Sequence, residues 1–145
     1  MSTIANLDDF AALDPFFRII EQGLHGLVDP GHFFDLMAEN VVTEYVITVP
    51  GYPPRVEGRQ ALAELYRPYG TAIQLERCFD LAAYHDPAKN VVILEYASEG
   101  HTVNGNHPYT NRFISVITLR DRKIVHWRDY LNPVAVFNAL GWPTH

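Results

Sequence analysis

Four long segments rich in β-branched and aromatic residues fill the second half of the chain almost without interruption: 74–84, 90–103, 109–119 and 123–131. Short turn signals separate them, namely Asp86-Pro87, Asn104-Gly105 and Asp121-Arg122. Connections this short cannot join parallel neighbours, because a parallel crossover needs about a dozen residues or more. The run therefore predicts an antiparallel meander. Such a sheet has an apolar face that other elements must cover.

The cover is written into the first part of the chain. Asp14-Pro15 reads as a helix start, with Asp14 as N-cap, and Phe16, Ile19, Ile20, Leu24 and Leu27 follow at helical spacing. Asp29-Pro30 repeats the signal ahead of Phe33, Phe34, Leu36 and Met37, which predicts a second short helix. Residues 40–49 alternate as a strand until Pro50-Gly51-Tyr52-Pro53-Pro54 breaks it, and 58–69 reads as a third helix with Pro68 near its end. Pro133 starts a last short helix that ends near Gly141. Helices segregated from an antiparallel run define an α+β class. A curved sheet wrapped around three N-terminal helices encloses a cone, and the mouth of a cone is a natural small-molecule site. The 145 residues suit one domain, 1–145.

Charge narrows the partners. The net charge is −6, and no Lys/Arg run exceeds two residues. A nucleic-acid site or a polyanionic membrane surface needs a basic face, so neither is expected. The start, residues 1–14, carries Asp8, Asp9 and Asp14 with no basic n-region, and no apolar run approaches ~18 residues. A cytoplasmic location follows by elimination. Cys78 is the one cysteine, so no disulfide framework is expected. Seven histidines are present, none paired at i, i+4 on a helix, and His101 and His107 flank a turn. No metal is expected, since three convergent ligands would be needed. No Gly-rich phosphate loop or Gly-x-Ser-x-Gly elbow appears, and no organic cofactor is expected.

Residues 109–133 read Tyr-Thr-Asn-Arg-Phe-Ile-Ser-Val-Ile-Thr-Leu-Arg-Asp-Arg-Lys-Ile-Val-His-Trp-Arg-Asp-Tyr-Leu-Asn-Pro. This resembles the end of SnoaL-like proteins of the NTF2-like superfamily. The nearest likeness is to the phenazine-biosynthesis A/B family, which shows Tyr-x-Asn-x-Phe, a turn, then Arg-acid-aromatic-x-Asn-Pro at this spacing. Gly58-Arg59-Gln60-Ala61-Leu62 resembles that family's entry into its third helix. The resemblance implies a cone-shaped cystatin-like fold, usually dimeric through the outer sheet face. It also implies an acid/base carboxylate at Asp129. Related members include polyketide cyclases, ketosteroid-isomerase relatives, epoxide hydrolases and phenazine condensation enzymes. The phenazine family's third-helix histidine falls here at or near Leu65, with Tyr66 beside it. Tyr109-x-Asn111 stands where epoxide hydrolases carry Arg-x-Asp.

Strand alternation places Val125, Trp127, Asp129 and Leu131 on one face. Burial there would raise the carboxyl pKa and suit it to proton transfer. The competing reading is an ion pair with Arg112 or Arg128. If Asp121-Arg122 is a two-residue loop, Arg120 pairs Lys123 and Ile114 lies opposite Asp129, with Arg112 diagonal to it. If Asn104-Gly105 is another, Glu95 lies opposite Ile114, and Glu95, Arg112 and Asp129 share one face. A one-residue slip would replace Arg112 by Asn111. Tyr45, on the first strand, and Tyr66, on the third helix, could donate to a carbonyl or oxyanion. His126 falls on the face opposite Asp129. Ile124, His126, Arg128 and Tyr130, beside Ile117 and Tyr109, form an aromatic, Arg-bearing outer face that predicts a homodimer. Two functions stay open: a cofactor-free acid/base enzyme acting on a hydrophobic carbonyl-bearing small molecule, or a non-catalytic binding or dimerisation module of the same fold.

Overall fold

The computed structural model describes residues 4–141; the first three residues of the acidic start lie outside them. A 3-10 segment, Leu7–Leu13, leads into α1 (Asp14–Gly23), which buries Phe17, Ile19 and Ile20 as its apolar spacing requires. Gly23 lets α1 approach the sheet closely, since a Cβ there would meet the Leu94 side chain at 2.8 Å. The second expected helix is only a 3-10 turn, Phe33–Leu36. Phe33, Phe34, Leu36 and Met37 are all buried. That spacing, with Asp35 exposed, would suit a helical face; the helix is cut to one turn because Met37 already takes extended backbone (φ −97°, ψ 142°) and starts the next strand. His32 and Asp35 close that turn: Phe34 N–H donates to His32 Nδ1 and His32 N–H donates to the Asp35 carboxylate.

The strand β1 (Met37–Ile47) follows directly. After the proline break comes β2 (Arg55–Glu57), three residues that pair antiparallel with β1 and that alternation alone does not reveal. The helix α2 spans Arg59–Tyr66, and Pro68 then tightens the chain into a 3-10 segment, Arg67–Thr71. The meander is present as β3 (Ile73–Asp86), β4 (Val91–Thr102), β5 (Pro108–Arg120) and β6 (Lys123–Leu131). It ends in α3 (Pro133–Leu140). The fold is α+β, the described residues forming three α-helices and one six-stranded, unclosed sheet in the order β2-β1-β6-β5-β4-β3. All pairings are antiparallel except β1 with β6, which the long intervening chain allows to run parallel.

Register decides which residues face the interior. Between β4 and β5 it is the expected one, with Glu95 opposite Ile114. Between β5 and β6, Arg120 pairs Lys123 as expected, in a turn where Asp121 and Arg122 both have positive φ (51° and 62°). The ladder then shifts: Leu119 pairs Ile124, Thr118 pairs His126, and Val125 is the extra residue. Beyond this bulge Ser115, not Ile114, lies opposite Asp129. One added residue exchanges the two faces of a strand. The expected outer face is corrected with it. Ile117, Ile124 and Tyr109 are buried inside, while one outer row runs Glu44, Arg128, Val116, Ile93, Tyr84. Ile114 and Tyr84 stand exposed there.

Aromatic rings fill the space between helices and sheet. Phe17 stacks on Phe33 with centroids 4.6 Å apart, and Phe16 touches the rings of Phe33, Tyr66, Tyr96 and Trp127. Among the described residues no helix is long and apolar enough to cross a membrane.

Candidate functional site

The parallel pairing of β1 and β6 sets Thr43 beside Trp127 and Tyr45 beside Asp129. The β5–β6 bulge brings Ser115 to the other side of the same carboxylate. Asp129 is therefore flanked by side chains from two neighbouring strands and is only 8% exposed. Ser115 Oγ donates to Asp129 Oδ1 at 2.8 Å, and the Trp127 indole N–H donates to the same oxygen at 2.9 Å. Tyr96 OH lies 2.7 Å from Ser115 Oγ. Among the described residues no cation enters this cluster. Burial raises the Asp129 carboxyl above the ordinary carboxylate range, and the two hydrogen bonds oppose that rise.

A second polar group faces the carboxylate. Tyr45 OH donates to Tyr66 OH at 2.8 Å, joining β1 to α2. Tyr52, from the proline-rich loop, stands edge-on to Tyr45 with centroids 4.8 Å apart. Burial pushes all three phenols up, Tyr52 to about 12, and the Asp129 charge adds to each shift. Burial, with a smaller contribution from the same charge, raises Tyr96 and Tyr109 as well. Phenols held neutral in this way are hydrogen-bond donors and not bases.

Four of the sequence-derived candidates thus come together: Asp129, Trp127, Tyr45 and Tyr66. Asn111 does face inward, as the one-residue slip would require, yet its side chain is occupied. It donates to Tyr109 OH at 2.8 Å and to the Asn132 carbonyl at 3.2 Å, and it accepts from the backbone N–H of Arg112 and of Asn132. Asn132 in turn caps α3 through Val134 N–H. Asn111 is a clamp between β5 and α3. The expected trio is not formed. Arg112 has a side chain 67% exposed and meets Asp80 at 3.6 Å, and Glu95 alternates to the outer face between the buried Leu94 and Tyr96. The shift at Val125 is the cause. Alternation could have flagged Tyr96 and Ser115; their contact with Asp129 could not be found while the bulge was unseen.

A cleft of about 600 Å³ runs beside α3, lined by Ser98, Asn111, Asn132 and Asn138 among others, and Asp129 is not part of it. Among the described residues no three His, Cys, Asp or Glu side chains cluster closely enough to hold a metal ion.

A six-stranded curved sheet packed on helices, with one carboxylate buried among phenols, defines an NTF2-like protein. Residues 25–127 match the SnoaL-like domain, and the chain belongs to that family. The uncharacterized protein YesE of Bacillus subtilis is 36% identical over 107 residues, which cover 74% of this chain and 73% of YesE. A Bacillus subtilis structure provisionally named an isomerase superposes with a TM-score of 0.74 at 31% identity, covering 95% of this chain and 97% of that one. A phenazine-biosynthesis-related protein of Pseudomonas aeruginosa gives a TM-score of 0.68 at 19% identity, with 97% and 94% covered, and shows the shared fold.

Proposed function

We propose that Asp129 is the general base, and then the general acid, of a cofactor-free proton transfer on a hydrophobic, carbonyl-bearing small molecule. Isomerisation, cyclisation, dehydration and condensation all begin with such a step. The observation that carries this is the asymmetry of the carboxylate. Both hydrogen bonds fall on Oδ1, no cation neutralises the group, and Oδ2 has no protein partner among the described residues. Oδ2 takes the proton from the carbon beside the carbonyl. Tyr45 gives its own proton to Tyr66, so the Tyr66 phenol keeps one to donate to the developing enolate oxygen. Protonated Asp129 then returns the proton to another carbon or oxygen. A neutral, apolar substrate suits a site whose walls are rings. The provisional isomerase name of the Bacillus subtilis relative supports the same class. A second copy of this chain is the partner proposed for the outer sheet face.

The non-catalytic alternative is favoured by one feature, the Phe16 ring packed against Tyr66, Tyr96 and Trp127, the rings around Asp129. Solvent-deuterium exchange separates the two. A panel of neutral bicyclic and aryl ketones is incubated with the protein in heavy water and read by mass. The expected result is deuterium at the α-carbon of at least one ketone, well above the buffer rate. Binding of panel members without any exchange would favour the binding module.

A further inference from the structure

Asp129 Oδ1 is held by a chain of donors whose direction is fixed by counting protons. The carboxylate can only accept, so Ser115 must spend its single hydroxyl proton on Oδ1. Ser115 Oγ can then only accept from Tyr96, although the 2.7 Å separation alone would allow either direction. Trp127 Nε1 is a donor only and completes the set at 2.9 Å. All three partners are buried, and Tyr96 is held in turn by stacking on Phe113 with centroids 5.3 Å apart. Three different strands contribute: β4 through Tyr96, β5 through Ser115 and β6 through Trp127.

We propose that Tyr96 and Ser115 are positioning residues: acting in series, they pin Oδ1 and thereby assign the proton-accepting role to Oδ2. With Ser115 and Trp127 both converging on Oδ1, the carboxylate plane cannot rotate to exchange its oxygens without breaking two hydrogen bonds. The proton therefore has one address. The chain also favours the ionised form, because each donor strengthens the next. Its terminus is closed: the Tyr96 phenol is fully buried and kept neutral by burial, so the chain orients and polarises but carries no proton to solvent. Among the described residues the other titratable groups that face Asp129 are all phenols, namely Tyr45 from β1, Tyr52 from the loop after it, Tyr66 from α2 and Tyr109 from β5. None carries a positive charge, so the donors alone offset the desolvation of the carboxylate. The positioning role builds on Asp129 as the proton acceptor, but the oxygen assignment stands without turnover.

The test titrates the full chain labelled with ¹³C at aspartate side-chain carbons, with the Asp129 resonance identified by its loss in Asp129→Asn. Ser115→Ala should move the Asp129 midpoint upward by about one pH unit, the size expected for losing a hydrogen bond to the charged form. Tyr96→Phe keeps the ring and its stacking and should move it the same way by less, so it reports on the chain even if Ser115→Ala weakens the fold. Thr43→Val removes a neighbouring buried hydroxyl that does not bond to Asp129, and it should leave the midpoint in place. Unchanged midpoints in both Ser115→Ala and Tyr96→Phe would overturn the positioning role. Midpoints that move, in a protein that exchanges no ketone, would uphold the positioning while rejecting Asp129 as a catalyst.

Discussion

Asp129→Asn is expected to abolish proton transfer while leaving the protein as stable as before, or more so, at neutral pH. Asn keeps the volume, and its amide oxygen can still accept from Ser115 and Trp127, but it cannot take a proton at working pH. A positioned general base contributes ~10²–10⁴-fold in rate, and a loss of that order is expected. The stability side follows from the raised carboxyl pKa. Between the unfolded value, about 3.9, and the higher folded value, the native state binds more protons than the unfolded state, so stability falls as pH rises. Above the folded value the penalty is complete and constant. Asn never ionises, so the variant lacks this decline and matches the parent only at acid pH. Nor is a cation orphaned by the change, since Arg112 is at the surface with Asp80 and Arg128 lies on the outer row. The loss of about 3–5 kcal/mol that follows the breaking of a buried ion pair is therefore absent. Calorimetry across pH together with the exchange assay checks both halves. A melting temperature lowered by several degrees with exchange retained would count against the catalytic role.

Trp127→Ala should have the largest effect on stability, about 3–5 kcal/mol. The indole is fully buried, meets Phe16 and Phe33 in edge-on contacts at 6.2 and 5.9 Å, and bonds to Asp129. Truncation opens a cavity between α1, the 33–36 turn and the sheet. It also removes one of the two donors that hold the carboxylate. Trp127→Phe restores most of the ring but not the N–H, so it should recover most of the stability while still disturbing the site. Urea titration of the three proteins measures this. A cost below about 1 kcal/mol for Trp127→Ala would mean that the ring is not part of the core.

The parts of the fold governed by local rules were legible in the sequence. Alternation and turn chemistry gave the four meander strands, helical spacing gave α1, and the segments bounded by Gly58 and Pro68 and by Pro133 and Gly141 gave α2 and α3. Asp129 and Trp127 were also reachable by alternation along one strand, Asp129 with a family motif beside it, and Tyr45 and Tyr66 as phenols on the first strand and third helix. The misses share one cause, namely features settled by packing and not by local pattern. Phe33 to Met37 reads as helix by composition, and its buried spacing would fit one, but Met37 already takes the extended backbone of β1, so the helix is cut to a single turn. The Val125 bulge carries no signature of its own, yet it exchanges Arg112 for Asn111 and Ile114 for Ser115. Tyr45 reaches Asp129 through a parallel pairing between residues far apart in the chain, which no hairpin rule sets.

The most direct test of a buried, cation-free carboxylate poised to take a proton is the pH titration of the Trp127 indole N–H resonance in the unmodified protein. That N–H donates to Asp129 Oδ1, and the chain has only two tryptophans, so the signal is readily assigned by Trp127→Phe. The expected result is a single inflection with its midpoint clearly above the ordinary carboxylate value of about 4, absent in Asp129→Asn. A midpoint at or below that value would contradict the account, because it would show a carboxylate stabilised in its charged form and ill suited to accept a proton.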